Sequence, residues 1–355
     1  MIDNRIVWID NVKAIGIFLV VLGHLFIKEG WVMSFIYSFH MPLFFFVSGI
    51  LFKNNMPFGV LVKKNVKRLL IPYVSFYALS YIWWIYFVFI RNSSGTYPDP
   101  SFYECIVKPF TGMFLGAHYT TEISYFVNTA LWFLIALFEV KIITYLILKI
   151  RNNYLMIISI ILIPLFYIYT DMHQITMYFS IPNMTCFFLF FIGGYYTRNI
   201  FIKLSGYSTG IKALAISLIL IIIQLFLAYH LKVMPVKSIT DYIIFSLLAI
   251  SGIFFIFYLS NISGKQNKIM KLISDNTMTI MCIHIPINGL ITGSLKNLFN
   301  MDTSAIPAII AIFIAITSLA CSLIAAKFFR KYIPIIIGEK KQKEISSHSS
   351  GNSSI

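Results

Sequence analysis

Two histidines lie in apolar stretches of this sequence, where a polar side chain needs a specific reason to be present. His24 follows Gly23 in the run IGIFLVVLGHLF, residues 15–26, and His40 begins the run HMPLFFFVSG. An imidazole takes up or releases a proton near neutral pH, so histidine suits acid–base catalysis. Two interpretations of His24 stay open: a catalytic base, or an interfacial histidine hydrogen-bonded to a backbone carbonyl.

Asp10 and Lys13 precede His24 in the same predicted helix. Lys13 is almost three helical turns before His24, so the two side chains share one face of the helix. Asp10 lies three residues before Lys13 and can pair with it. This stripe suits a phosphate-bearing ligand whose thin arm reaches inward. The alternatives are a helix-dipole role for Asp10 and a cytoplasmic anchoring role for Lys13.

Basic residues are concentrated in the stretch KKNVKRLLIPY, residues 63–73. Lys63, Lys64, Lys67 and Arg68 all come just before an apolar run. Such a patch can hold nucleotide phosphates, with the arginine able to make a bidentate contact. The competing interpretation is a charge cluster that only sets the orientation of the chain in a membrane.

Two further apolar runs carry ionisable residues. Glu139 and Lys141 in LWFLIALFEVK are two residues apart, so on a helix they diverge, and Glu139 needs a partner on another helix. Trp132, seven residues before Glu139, packs in the core or forms a substrate platform. His284 stands two residues before Pro286, which frees backbone carbonyls and predicts either a simple kink or a cavity wall.

The composition places these residues in a membrane. Of 355 residues, 59% are hydrophobic and only 12% are charged, which is about half the usual charged fraction of a soluble protein. The net charge of +15 comes from residues in the short gaps between apolar runs, which argues against nucleic-acid binding. The four cysteines lack the paired spacing of a disulfide framework or a zinc site, so no metal is expected.

Hydropathy predicts an all-α, polytopic membrane bundle of about ten transmembrane helices. The predicted spans are 12–30, 32–52, 69–90, 124–148, 154–170, 178–196, 211–229, 242–260, 277–295 and 305–326. With a cytoplasmic N-terminus, only six basic residues fall outside, so both termini are predicted to be cytoplasmic; these six are Lys28, Arg91, Lys108, Lys232, Lys237 and Lys296.

One membrane domain is predicted for residues 1–335, followed by a disordered cytoplasmic tail at 336–355. The long outer loop, 91–123, begins with a turn-rich linker. Its stretch from Phe102 to Leu115 is amphipathic, and it is predicted to lie on the membrane surface or to dip into it.

Six stretches of the sequence together carry a family resemblance. They are WIDNVKAIGIFLVVLGH, FHMPLFFFVSGILF, KKNVKRLLIPY, LWFL, FFIGGYYTRN and DNTMTIMCIHIPI. In this order, from residue 5 to about 330, they resemble the membrane-bound acyltransferase 3 family, and within it the bacterial sugar O-acetyltransferases described as fucose 4-O-acetylase-like.

The resemblance implies about ten spans, acetyl-CoA as the cytoplasmic co-substrate and a glycan or lipid-linked sugar as the acceptor. It implies that His24 is catalytic and that Lys13 stands where many relatives have arginine, which keeps the charge but removes the bidentate fork. Ser48 and Gly49 match the Ser-Gly element of the family, and Arg68 matches the basic motif.

The sequence thus predicts an O-acetyltransferase in a bacterial cytoplasmic membrane, acting on a surface polysaccharide such as O-antigen, capsule or exopolysaccharide. His24 is predicted as the general base or a transient acyl carrier, and His40, His284 or a freed amide near Gly49 as oxyanion donors. Acetyl-CoA phosphates are predicted to dock on Lys13 and on the stretch from Lys63 to Arg68. The alternatives are a transporter or flippase, or an acyltransferase with another donor or a non-sugar acceptor.

Overall fold

The computed structural model describes residues 6–26, 30–86, 101–116, 125–173, 175, 177–231, 238–299 and 306–339. These residues form helices and connecting turns, with no strand among them. The helices are α1 (Val7–Gly23), α2 (Trp31–Tyr37), α3 (His40–Ile50), α4 (Phe58–Asn65), α5 (Ile71–Ile85), α6 (Lys108–Leu115), α7 (Trp132–Ile147), α8 (Asn153–Met172), α9 (Ile181–Tyr207), α10 (Gly210–His230), α11 (Ile239–Asn261), α12 (Lys268–Asp275), α13 (Thr277–Phe299) and α14 (Ala308–Tyr332).

The chain is an all-α, polytopic membrane bundle. Seven segments of the described chain are long and apolar enough to cross a bilayer: Trp31–Ile50, Thr129–Ile147, Asn153–Met172, Gly210–His230, Ile239–Asn261, Thr277–Leu298 and Ala308–Tyr332. The other three predicted spans correspond to α1, α5 and α9, so the count of ten stays a prediction, as does the orientation of the termini. The last sixteen residues of the predicted tail, 340–355, lie outside the described residues.

Helix α3 lies at the centre of the bundle, packed against α1, α9 and α11. Its contact with α9 is close because glycines face each other. A side-chain carbon on Gly49 would collide with the carbonyl oxygen of Phe191, and one on Gly194 would collide with that of Phe46. Small residues are the usual means of bringing two membrane helices this near. Helices α8, α10 and α14 carry many of the exposed Ile, Leu and Phe side chains, as lipid-facing helices do.

Proline explains an irregularity in the predicted span 32–52, which the structure divides into α2 and α3. In a continuous helix Pro42 would remove the hydrogen bond to the carbonyl of Ser38, and its ring would clash with that carbonyl. The helix therefore stops at Tyr37 and restarts at His40. The break makes His40 the first residue of α3.

A second proline accounts for a wide turn in the basic stretch. Residues Val66–Leu70 form a π-helical turn in which the Ile71 N–H donates to the Val66 carbonyl, five residues back. Pro72 follows immediately and cannot donate. The wider turn accommodates the proline without breaking the helix, and such turns are frequent at functional sites. This turn carries Lys67 and Arg68.

The described part of the long loop packs against α5. A π-helical turn at Tyr103–Val107 leads into α6, and four α5 side chains donate hydrogen bonds to carbonyls along this segment. The donors and acceptors are Trp84 to Cys105, Tyr81 to Ile106, Tyr77 to Pro109 and Tyr73 to Met113. The segment therefore runs antiparallel to α5. Residues 91–100 and 117–123 of the predicted loop lie outside the described residues.

Candidate active site

His24 caps the C-terminal end of α1 and lies half-buried there. Its Nδ1 is 2.9 Å from the carbonyl oxygen of Val20, one turn earlier. A carbonyl oxygen can only accept a hydrogen bond, so Nδ1 carries the proton, and in the neutral ring Nε2 carries the lone pair. The two interpretations of His24 are therefore compatible, because the bond to the carbonyl fixes the tautomer in which Nε2 can act as a base.

His40 and His284 are held in the same way. His40 is buried, with its Nδ1 2.9 Å from the Ile36 carbonyl. His284 is fully buried, with its Nδ1 2.9 Å from the Met281 carbonyl and 3.1 Å from that of Ile280. In this tautomer each Nε2 accepts rather than donates, so neither neutral ring can serve as an oxyanion donor through Nε2. The Nε2 of His284 has no hydrogen-bond partner among the described residues.

Four rings form what we call the imidazole cluster: His24, Tyr37, His40 and His284. The His24 and His284 rings meet edge to face, with centroids 4.9 Å apart. Tyr37 lies between the first two histidines, 6.1 Å from His24 and 4.8 Å from His40. The structure thus brings together three of the predicted residues, and it adds Tyr37. In the sequence, the position of Tyr37 three residues before His40 could have indicated that the two side chains are neighbours.

Two asparagines hold α13 in place around His284. Pro286 cannot donate to the carbonyl of Cys282, four residues back, and the Nδ2 of Asn128 donates to that carbonyl at 2.8 Å instead. The Nδ2 of Asn288 donates to the Val21 carbonyl of α1 at 3.1 Å. The carbonyl that proline frees is therefore used to fix the helix that carries His284. Sequence reasoning expected freed carbonyls here but had no signal for Asn128.

At the first turns of α1, Asp10 and Lys13 both contact Ser274 at the end of α12. The Ser274 hydroxyl donates to Asp10 Oδ1 at 2.7 Å, and Lys13 Nζ donates to the Ser274 carbonyl at 2.8 Å. A lysine at a helix C-terminus satisfies a carbonyl that has no partner within the helix. These contacts attach α12 to α1, and the predicted role of Lys13 in donor binding stays a prediction.

The basic stretch lies beside α7. Lys64 and Arg68 are exposed, Lys67 is half-buried, and Lys141 of α7 donates to the Asn65 side chain at 3.4 Å. We call Lys64, Arg68 and Lys141 the cation cluster. Sequence reasoning placed Lys141 within a span but did not connect it to the basic stretch.

The two clusters are separated along α5 and the turn before it. From Arg68 to Ser80 the chain stays helical for twelve residues, a rise of about 18 Å. Ser80 Oγ accepts a hydrogen bond at 3.0 Å from Asn128, the residue that also holds the Cys282 carbonyl near His284. The cation cluster and the imidazole cluster therefore lie near opposite ends of this helix.

The remaining predicted residues lie in packed surroundings. Gly49 is inside α3 at the contact with α9, so its amide belongs to the helix rather than being free, and Ser48 precedes it, half-buried. The Trp132 ring stacks on that of Phe187, with centroids 5.7 Å apart. The Glu139 carboxylate accepts a hydrogen bond from the backbone of Ser180, the N-cap of α9, while its Oε2 is buried with no partner in the described chain.

Among the described residues, no three His, Cys, Asp or Glu side chains are arranged to hold a metal ion. The three histidines of the imidazole cluster each use Nδ1 on a backbone carbonyl. In the neutral ring this leaves Nε2 as the atom that can accept a proton or act as a nucleophile.

The fold and these clusters define a multi-pass membrane protein with three histidine rings gathered inside its helical bundle. The acyltransferase 3 family model, described as an acyltransferase domain, matches residues 6–327. The chain therefore belongs to the acyltransferase 3 family and is a membrane acyltransferase, which confirms the resemblance at the level of the family. No significant match was found among curated proteins or solved structures.

Proposed function

We propose that the chain is an O-acetyltransferase of a bacterial cytoplasmic membrane. It moves acetyl from cytoplasmic acetyl-CoA to a sugar hydroxyl of a surface polysaccharide such as O-antigen, capsule or exopolysaccharide. The observation that carries the proposal is the hydrogen bond from His24 Nδ1 to the Val20 carbonyl, which leaves Nε2 with the lone pair in the neutral ring, and the His284 ring lies 4.9 Å away between centroids.

A sugar hydroxyl is a weak nucleophile until its proton is removed. In the proposed reaction, His24 Nε2 takes this proton as the hydroxyl oxygen attacks the thioester carbon. A C–O bond forms, the C–S bond breaks, and the proton on His24 passes to the departing thiolate. The products are the acetyl ester and coenzyme A.

His284 supports this transfer by its position. When His24 becomes an imidazolium, its positive charge lies next to the His284 ring, 4.9 Å away between centroids, whose Nε2 is buried and has no hydrogen-bond partner among the described residues. The two asparagine contacts of α13 keep the ring there. His40 closes the other side of the site through Tyr37.

The donor phosphates are assigned to the basic side chains near the other end of the helices. Lys64, Lys67 and Arg68 supply positive charge there, and Lys13 begins the face of α1 that ends at His24. Lys13 lies about 16 Å from His24 along α1, by the helical rise. The pantetheine arm of acetyl-CoA is the part of the donor that would cross this distance.

The test is transfer of radiolabelled acetyl-CoA to polysaccharide in membranes carrying His24→Asn. The asparagine amide can keep the hydrogen bond to Val20, but it offers no base at the Nε2 position. We expect a loss of about 10²- to 10⁴-fold, the usual contribution of a general base. His173→Asn is the matched control, since His173 is exposed at the end of α8.

Retained transfer by His24→Asn at normal expression would overturn the assignment of the base. Label that transfers equally well from succinyl-CoA would overturn the assignment of the donor. A covalent route is separated by omitting the acceptor, because an acyl carrier at His24 would leave label on the wild-type protein and none on the variant.

A further inference from the structure

Lys141 is a charged residue inside a span, and the proposed reaction does not use it. It lies in the candidate span Thr129–Ile147, six residues before its end, or about 9 Å by the helical rise. Ionisable side chains at such depth are costly, and they usually mark a ligand path or have a charged partner. The question is what compensates this ammonium.

The hydrogen bond that Lys141 makes is long and therefore weak. Its Nζ is 3.4 Å from Asn65 Oδ1. Asn65 is buried, and its Nδ2 donates to the Leu61 carbonyl at 2.9 Å, which turns Oδ1 towards the lysine. One neutral oxygen at this distance uses at most one of the three ammonium donors. Glu139, two residues earlier on α7, points to a different side of the helix.

The nearby charges are positive. Arg68 and Lys64 are the charged groups that act electrostatically on Lys141. Lys108 pairs with Glu104 and Arg330 with Glu339, and neither of these ion pairs of the described chain involves Lys141, Lys64 or Arg68. Three like charges are therefore gathered where α7 packs on the turn that precedes α5.

We propose that Lys141, with Lys64 and Arg68, forms a binding site for a phosphate group, and that acetyl-CoA supplies it. This inference rests on the proposed function for the source of the phosphate, although the chemistry of the site does not. Arginine offers a planar pair of donors to a phosphate, while the lysines act as point charges with rotatable donors. The two free donors of Lys141 give the anion a contact inside the bundle.

A structural role for Lys141 makes an opposite prediction. A buried charge without a counter-ion destabilises the empty protein, and replacing it by an apolar side chain of similar size is often neutral or stabilising. If Lys141 only held α7 to α4 through Asn65, its removal would destabilise the protein whether or not a ligand is bound. If Lys141 belongs to a phosphate site, its removal should lower stability only when the ligand is present.

The experiment measures binding of coenzyme A to the full chain in phosphatidylcholine nanodiscs. We expect Lys141→Met to raise the Kd by about ten- to one-hundredfold, the loss of one hydrogen bond to a charged group. Lys141→Arg keeps the charge and retains most of the affinity. Lys149→Met is the matched control, because Lys149 is exposed just beyond the end of α7, with its Nζ 5.2 Å from the Tyr145 ring centroid.

Thermal unfolding of the same samples separates binding from folding. Without ligand, Lys141→Met is expected to be at least as stable as the wild type, and it should lose the stabilisation that coenzyme A gives. Pantetheine, which lacks the nucleotide phosphates, should bind both proteins equally. A variant that unfolds earlier without ligand and binds coenzyme A normally would overturn the proposal.

The source of the phosphate is tested by exchanging the lipid. If phosphatidylglycerol nanodiscs stabilise the wild type but not Lys141→Met, and coenzyme A has no such effect, a lipid headgroup fills the site and the donor assignment is overturned. If Lys141→Met loses coenzyme A binding while the wild type binds coenzyme A but transfers no acetyl, the phosphate site is supported. That result would count only against the proposed function.

Discussion

The imidazole cluster and the cation cluster differ in the partners that their polar groups have inside the membrane protein. In the first, each histidine donates from Nδ1 to a backbone carbonyl three or four residues earlier in the chain. In the second, Lys141 contacts one asparagine oxygen, and the charged groups that act on it, Arg68 and Lys64, are also positive. The imidazole cluster therefore has a protein partner for each Nδ1, whereas the cation cluster has no anionic partner in the ion pairs of the described residues; the proposed phosphate would supply that negative charge.

The largest change in activity that would test the role of the imidazole cluster is expected on substitution of His284. His284→Asn can keep a hydrogen bond to the Met281 or Ile280 carbonyl but removes the Nε2 lone pair beside His24. We expect kcat to fall by about one-hundredfold, at the lower limit for a group assisting proton transfer, with the KM for acetyl-CoA nearly unchanged. His230→Asn, exposed at the end of α10, is the control.

The pH dependence of kcat distinguishes this role from packing. Loss of the partner of His24 should change the shape of the profile, whereas a packing defect lowers all points by the same factor. An unchanged kcat in His284→Asn would show that the edge-to-face contact of the two rings has no part in the reaction.

The next effect concerns the close contact between α9 and α3, the helix that begins with His40. Gly194→Ala puts a methyl group against the Phe46 carbonyl, and we expect about 1–3 kcal/mol of destabilisation from overpacking. Gly193 is the matched control, because a side-chain carbon there meets nothing within 4 Å. Gly193→Ala should be neutral or stabilise by up to about 1 kcal/mol, since alanine is the better helix former.

Thermal midpoints of the two glycine variants in the same detergent decide this prediction. Equal midpoints would mean that α3 and α9 can separate without cost. The close approach would then not be what holds α3, and with it His40, in position.

The smallest expected effect is at Arg68. Arg68→Lys keeps the charge and loses one of the two parallel donors, so the KM for acetyl-CoA should rise by about fivefold, the value of one ordinary hydrogen bond. The kcat should stay within about twofold, because the change is far from the reacting atoms by about 18 Å of helix. A fall in kcat with constant KM would place Arg68 in the chemistry instead.

Much of the architecture follows from local physics that the sequence displays. Long apolar runs predicted the helices, and Pro286 predicted a freed carbonyl. His24, His40 and His284 were also selected from the sequence, because an ionisable ring within an apolar run is costly and usually faces a cavity or a partner. Their grouping into one cluster required the packing of α1, α3 and α13, which no periodicity shows.

Other features depend on contacts between distant parts of the chain. Asn128 and Cys282 are 154 residues apart, and nothing near either residue marks the pair. In the sequence Lys141 is an isolated charge, and only the packing of α7 beside Asn65 connects it to the basic stretch. The break before His40 was available in principle, because Pro42 lies four residues after Ser38, yet an apolar run of this length predicts one continuous helix.

The central claim is that His24 receives a thioester from one side of the membrane and a hydroxyl from the other. Sealed inverted vesicles from the native host, with surface polysaccharide in the lumen and radiolabelled acetyl-CoA outside, test it most directly. We expect label on luminal polysaccharide with the wild type and at least about one-hundredfold less with His24→Asn. Equal labelling by the two proteins, or wild-type label confined to glycan added outside, would contradict it.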